Sequence, residues 1–267
     1  MKKVLYALCG TALCISVVVS CEKNQNKPVN ENAQVPQDVL SRISQLGFTT
    51  QGAFTDEDGN YVVEGDIVLT PQLLSSNPSY TLLRIANTEQ YRTTNLVTRL
   101  PRVITVSLSS GFSSTYVSAT DAAIARYNAQ NLRITLQRVA SGGDIAITKV
   151  NTRRYLASSG FPTSNGNPSG TIKVSVGAIG NQPLGTITTI LAHEMGHCIG
   201  FRHTDYMDRS YSCGGAPTNE GAGSVGAILI PGTPSGPDAK SWMLSCIGSG
   251  QDRPFNNNDK TALNYLY

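Results

Sequence analysis

Every histidine of this 267-residue chain falls within "LAHEMGHCIGFRHTD", Leu191 to Asp205. His193 and His197 lie four apart, which on a helix puts both imidazoles on nearly one face, one turn from each other. Two ring nitrogens can then aim at one point about 2 Å from each, the length of a zinc–imidazole bond. Glu194, one position round, reaches a solvent molecule at that point without ligating the metal. A third ligand cannot come from the next helical turn, because the substrate side must stay open, so the chain has to turn sharply. Gly200 is the residue type that takes positive φ at a helix C-terminus without strain, and His203, three residues on, can return to the same point. Three neutral imidazoles and one water make a four-coordinate zinc with an exchangeable position, the arrangement of a catalytic site. The competing readings are imidazoles simply satisfied within the fold, or a closed structural zinc. In a catalytic site, Zn²⁺ brings the pKa of its water from about 15.7 towards 7 and polarises a peptide carbonyl. Glu194 would take the water's proton and deliver it to the leaving amine.

"HEMGHCIGFRH" fits the metzincin pattern H-E-x-x-H-x-x-G-x-x-H. Within that clan the chain most resembles the bacterial HEIGH metallopeptidases, with Met195 standing where their name has Ile. The resemblance runs from about Pro101 to Tyr267, through the strand order before the helix and "SWMLSC" after it. It implies an α+β catalytic domain: a twisted mixed β-sheet, an active-site helix, and a loop-rich C-terminal subdomain with a Met-turn and a final helix. It also implies Met243 as the apolar floor beneath the zinc, since Met207 lies too close to His203. Some metzincins carry a tyrosine ligand two residues after that methionine, where this chain has Ser245. Metzincin substrates lie extended along an edge strand, hydrogen-bonded by main chain as an added strand. By position that strand is "RRYLASSG", Arg153 to Gly160, the alternative being a plain surface loop. Cleavage specificity is left open, because the S1′ pocket is built from loops after Met243. "VEGDI", Val63 to Ile67, resembles the F-x-G-D stretch of astacin-type propeptides, with Val63 in place of Phe. That resemblance implies Asp66 as a latency ligand in the water's position, against the plainer reading of a turn-flanking aspartate at the start of a strand.

The elements that must hold these residues read as follows. From Pro101, "RVITVSLS" alternates as a strand and "STYVSATDAAIARYNAQ" has helix composition. "LRITLQRV" and "DIAITKV" are two strands separated by "ASGG". A Gly/Pro/Ser/Asn-rich stretch, 158–170, leads into the strand "TIKVSVGAI" and the helix "LGTITTILAHEMGHCIG". This order suggests a twisted mixed sheet packed on two helices. After Phe201 the chain is loop-rich, with "GAILI" as a short strand and "NNNDKTALNYLY" as a last helix capped by Asn258 or Asp259. Residues 99–267 form the expected peptidase domain. Before it, 36–98 is a pro-segment or an accessory region. There "DVLSRISQLGF" is a helix ending at Gly47, and "DEDGNYVVEGDIVLT" is a turn followed by a strand. The stretch 82–99 has no clear pattern.

Met1, Lys2 and Lys3 precede an apolar stretch ending in "VVSC", which resembles the lipobox of bacterial lipoproteins. Residues 1–20 are then a signal peptide, Cys21 the lipidated residue and 21–35 a flexible tether. The alternative is an ordinary signal peptide with an incidental cysteine. The expected product is an exported protein anchored to a membrane or the cell surface. Loss of Cys9 and Cys14 and acylation of Cys21 leave Cys198, Cys213 and Cys246, enough for one disulfide in an oxidising compartment. Cys198 follows His197 on the helix and should face the core, which favours Cys213–Cys246 without settling the pairing. The composition, 40% hydrophobic and 15% charged, suits a globular core, and a net charge of +3 without a Lys/Arg run speaks against a nucleic-acid partner. The expected partners are a protein or peptide substrate and the membrane, with the chain a monomer. The competing function is a surface binding or adhesion lipoprotein that keeps the zinc site without hydrolysis. Intact Glu194 argues against it, since metal binding alone needs no base there.

Overall fold

A computed structural model describes residues 34–75, 90–222, 225–234 and 236–267. The expectations for Cys9, Cys14, Cys21, the signal segment and most of the tether lie outside these residues. In chain order the elements begin with α1 (Gln37–Gln45), β1 (Phe54–Thr55), β2 (Tyr61–Val63), β3 (Ile67–Leu69), α2 (Pro71–Ser75) and β4 (Tyr91–Arg92). There follow β5 (Arg102–Leu108), α3 (Ser114–Asn128), β6 (Ile134–Val139), β7 (Ile145–Val150), β8 (Ala157–Ser159) and β9 (Thr171–Ser175). The chain finishes with α4 (Val176–Ile179), α5 (Leu184–Ile199), α6 (Ser210–Cys213), β10 (Ile228–Leu229) and α7 (Asn257–Leu266).

The fold is α+β around an eight-stranded mixed sheet in the order β1-β2-β3-β8-β9-β7-β5-β6. Strands β6, β5, β7 and β9 run parallel, while β8 lies antiparallel to β9. The alternation read in "RVITVSLS" puts Ile104 and Val106 in the core and leaves Val103 exposed. Helix α3 packs on β6 and α5, and α5 packs on β8 and β9. Their shared core joins Ile104, Val106, Ile147 and Val174 of the sheet to Tyr127 of α3 and Ile187, Leu191 and Met195 of α5. The Tyr127 hydroxyl donates to Ala192 O at 2.7 Å, so a buried polar group fastens α3 to the turn before the histidines.

The N-terminal region joins the same body, and residues 33–267 form one compact unit. Its β3 extends the sheet by pairing parallel with β8 at Ile67↔Ser159. A second apolar cluster, Val35, Ile43, Leu46, Phe48, Val63, Ile67 and Leu69, closes against Phe161. Underneath, Lys173 of β9 is 5% exposed, with its ammonium 2.7 Å from Asp56 Oδ2, 2.6 Å from Asp58 Oδ2 and 3.4 Å from Glu57 Oε1.

Three expectations change. "DEDGNYVVEGDIVLT" is two antiparallel strands, β2 and β3, and its register, Val63↔Ile67, leaves Glu64, Gly65 and Asp66 as a three-residue hairpin loop. Glu64 (φ 55) and Gly65 (φ 95) both enter the left-handed region, which reverses a stretch whose composition reads as continuous strand. The cap of α7 is Asn256, because only a residue three before Asp259 closes the reciprocal capping box. The β8 stretch is interior to the sheet, since β3 covers the edge at which a substrate was expected. "GAILI" supplies β10, which pairs with β4. Among the described residues no helix is long and apolar enough to cross a membrane.

Candidate metal centre

Helix α5 is buried on every side from Thr186 to Ile199, as a helix through the middle of a core must be. It stops at Gly200, whose φ is 111°. A Cβ there would meet Leu96 Cδ2 at 2.7 Å and Asn95 O at 3.1 Å, so backbone angle and space both demand glycine. Gly200 N and Phe201 N return to His197 O and Gly196 O, satisfying the last helical carbonyls. Phe201 then bridges to Arg92 and Arg202 N donates to Tyr91 O, so β4 directs the reversed chain back along the helix.

The turn brings His203 Nε2 to 3.2 Å from His197 Nε2. Each ring is held by its other nitrogen. His193 Nδ1 donates to Trp242 O and His197 Nδ1 to Phe201 O, both at 2.8 Å. His203 Nδ1 faces both oxygens of Glu220, at 2.9 and 3.1 Å. A carbonyl can only accept, so His193 and His197 carry their protons on Nδ1 and turn Nε2 lone pairs to the centre, while His203 lies between the carboxylates of Glu220 and Asp66. His193 Nε2 is buried with no hydrogen-bond partner, an orphan acceptor of the kind a metal satisfies. One nitrogen from each imidazole and one Asp66 oxygen lie within 4.8 Å of one another, so the donor set fits one metal ion.

Asp66, on the β2–β3 loop, enters this centre from the N-terminal region. Its Oδ2 is 3.3 Å from His203 Nε2 and 3.5 Å from His193 Nε2. Burial alone would raise its carboxyl, but His203 chiefly, with His193 and His197, holds it well below the usual range. Gly65, at φ 95°, sits where a side chain would be strained, with Arg209 Nη2 2.9 Å from the place a Cβ would take. Glu64, at the other side of the tip, pairs with Arg202 at 2.9 Å, both side chains fully buried.

Glu194 is buried, and Ser159 Oγ donates to its Oε2 at 2.6 Å. Burial and the nearby Asp66 charge push the Glu194 carboxyl well up, with Ser159 opposing. Burial likewise lowers His197, whereas the carboxylates of Glu220 and Asp66 outweigh burial at His203 and raise it. Met243 is fully buried beneath the helix: a Cβ on Gly196 would come within 2.6 Å of its Sδ, so Gly196 in "HEMGH" makes room for it. Thr204 N donates to Met243 O, and Asp205 Oδ1 accepts from Ser245 N and Oγ, both at 2.9 Å. The segment after the third histidine is therefore tied to the segment around Met243. Cys213 and Cys246 are joined as a disulfide and Cys198 is a buried free thiol, raised by burial.

The structure thus gathers His193, His197, His203, Glu194, Met243 and Asp66, with Gly200 at the turn. Sequence reasoning missed Glu220, Ser159, Glu64 and Arg202. Glu220 and Ser159 reach the centre only through the fold, and Arg202 and Glu64, though near His203 and Asp66 in sequence, are paired only by it.

The description "dual-action HEIGH metallo-peptidase" belongs to a family model that matches residues 62–267. The chain belongs to this family. The match starts at Val62, so the Glu64–Asp66 loop falls inside the part of this HEIGH metallopeptidase that carries the family's pattern. No curated protein sequence matches the chain. Among solved structures it is similar to one of myroilysin at 17% identity, covering 64% of this chain and 82% of that one, with a TM-score of 0.42. A second, a crystal structure of myroilysin, is 14% identical, covering 76% of this chain and 98% of that one, with a TM-score of 0.41.

Proposed function

We propose that this HEIGH metallopeptidase is a zinc endopeptidase of metzincin type that acts on proteins outside the cytoplasm, exported and lipid-anchored through Cys21. The observation that carries the reading is the convergence of three Nδ1-tethered imidazoles beside the buried Glu194 carboxylate. His193, His197 and His203 would hold the zinc, which when bound acidifies water and polarises the scissile carbonyl. Glu194 takes the proton of the attacking water and returns it to the leaving amine. Ser159 orients that carboxylate, and Met243 gives the histidines an apolar floor.

The hairpin loop gives this reading its second part. Asp66 presents a carboxylate oxygen where the water would sit, and β3 lies on the β8 edge along which a substrate would pair. Residues 22–98 are then a pro-segment that keeps the anchored, uncleaved chain latent, and their removal would also free the peptidase from Cys21. A permanent accessory element is the second reading, favoured by the apolar cluster the segment shares with Phe161. N-terminal sequencing of the mature protein separates the two.

The test is peptidase assay of the full chain, wild type and Asp66→Ala, before and after chelation and with Zn²⁺ restored. Chelation should abolish hydrolysis and zinc should restore it. Glu194→Gln should bind zinc normally and lose turnover by several orders of magnitude. Hydrolysis that survives complete chelation, or near-normal turnover in Glu194→Gln, refutes the proposal.

A further inference from the structure

A cavity of about 250 Å³ opens beside Glu194 and His193. That is below the range of about 300–1,000 Å³ usual for small-molecule sites, a size suited to a side chain of a bound peptide. Its walls are the α5 turn before the histidines, with Thr189 and Ile190, and the segment after Met243, with Leu244 and Ile247. Those walls are largely apolar, yet Arg253 takes part in the lining.

Arg253 is held by both walls. Its main-chain N donates to Thr189 Oγ1 at 2.9 Å, and its guanidinium donates to Cys246 O at 2.8 Å and Gln251 Oε1 at 3.1 Å. Both guanidinium acceptors are neutral, and among the described residues no carboxylate lies within ion-pair distance of it. Its burial lowers its pKa, and the opposing influence is the charge of Asp205, whose oxygens are already engaged by Ser245 and Ser212. A half-buried cation without a paired anion is an unfavourable arrangement that an incoming carboxylate would relieve. Two other guanidiniums line the cavity: Arg209 already has Glu220 at 3.1 Å, and Arg154 lies over the Phe54 ring at 4.1 Å. The carboxylates lining the cavity are Asp66 and Glu194. Glu194 is committed to the reaction, and Asp66 belongs to the N-terminal hairpin.

We propose that this pocket receives a substrate side chain ending in a carboxylate, glutamate or aspartate next to the scissile bond, with Arg253 as its partner. The inference rests on the peptidase reading above. The same chemistry could come from a peptide's C-terminal carboxylate, so the substrates carry either a free or an amidated C-terminus.

The experiment profiles cleavage of a peptide library by the full chain, wild type and Asp66→Ala, with products located by mass spectrometry. An acidic residue should recur at one fixed position beside the cut, in amidated and free peptides alike. Replacing it by its amide should lower kcat/KM by about 10- to 100-fold, through KM more than kcat. Arg253→Gln should erase that discrimination, Arg253→Lys should retain part of it, and melting curves check that each variant is folded. Cleavage confined to the residue before a free C-terminus assigns Arg253 to the terminal carboxylate and overturns the side-chain proposal. Hydrolysis with no acidic preference, or a preference intact in Arg253→Gln, also overturns it while leaving the peptidase reading standing. Should Arg253→Gln fail to fold, the Asp66→Ala profile and Arg253→Lys in the same background decide. No hydrolysis of any peptide by metal-loaded Asp66→Ala protein, whose metal site is open, removes both readings.

Discussion

Glu220 is the support of the metal centre that mutation can reach. The Nδ1 atoms of His193 and His197 rest on main-chain carbonyls, which substitution does not remove, whereas His203 rests on a side chain. Both Glu220 oxygens lie within 3.1 Å of His203 Nδ1, and the residue is fully buried. A hydrogen bond to a charged group contributes about 1.5–3 kcal/mol. At about 1.4 kcal/mol per factor of ten, that converts to roughly 10- to 100-fold in metal affinity. Glu220→Gln keeps an acceptor and loses the charge, so zinc should bind about 10-fold more weakly; Glu220→Ala should approach ~100-fold. Arg202 keeps Glu64 at 2.9 Å in these variants, whereas the buried Nε of Arg209 loses the carboxylate 3.1 Å away, so stability falls alongside metal affinity. Competition with a chromogenic chelator measures affinity directly, without depending on turnover. Affinities of both variants within twofold of wild type would refute the reasoning, and equal losses in the two would refute its electrostatic part.

Other consequences follow from the N-terminal hairpin and the disulfide. Removing one partner of a buried ion pair costs about 3–5 kcal/mol; burial and the neighbouring Glu220 raise the Glu64 carboxyl, and Glu220 lies 3.8 Å from the same Arg202 nitrogen, which places Glu64→Ala at or below the lower end. In the proposed latent form that variant should raise the activity of the uncleaved chain, and unchanged activity would count against the Glu64–Arg202 pair as the hairpin's support. The Cys213–Cys246 bridge closes a separation of 33 residues, so Cys213→Ser with Cys246→Ser should cost about 3–4 kcal/mol and lower Tm by roughly 10 °C. A loss of only a degree or two would show that the reduced chain stays locally closed. Burial would lower the Lys173 pKa, but Asp56, Asp58 and Glu57 outweigh it and raise the ammonium above its ordinary value. A basic group raised on folding contributes fully below its unfolded pKa, about 10.4, and loses that contribution as pH rises through the folded one. Tm should therefore fall above about pH 10 more steeply in wild type than in Lys173→Met; parallel curves would refute the linkage.

What the sequence disclosed is what local spacing can encode. Two histidines four apart and a glycine three before the third determine a helix face, a stop and a return, and all three need only about one turn of chain on either side. Glu220 lies in a loop 17 residues beyond His203, where no periodicity links it to the centre. The hairpin was hidden for a different reason. Val62, Val63, Ile67 and Leu69 are all fully buried, so "YVVEGDIVL" has the composition of one buried strand, and the break depends on Glu64 adopting a positive φ that its residue type does not announce. Strand β8 is three small residues, Ala157, Ser158 and Ser159, with little β-propensity of their own. It forms because β9 and β3 flank it. Its position opposite the metal helix could be taken from a resemblance but not from its composition.

The geometry of Asp66 limits what its side chain alone can control. Its carboxylate faces His193 and His203, while its main-chain oxygen accepts the Ser159 N–H at 3.0 Å. That N–H belongs to the β8 edge on which an extended peptide would have to pair. One residue thus competes for both requirements of the proposed reaction, access to the metal and main-chain registration of the substrate. Asp66→Ala withdraws only the first, since the backbone bond, the Ile67↔Ser159 pairing and the Glu64–Arg202 pair all persist. In the proposed latent form a substrate must then still displace β3, a cost that enters as weaker binding more than as slower chemistry. In that proposed form, departure of the whole segment would withdraw both obstacles together, so removal of the hairpin would release more activity than loss of a single ligand.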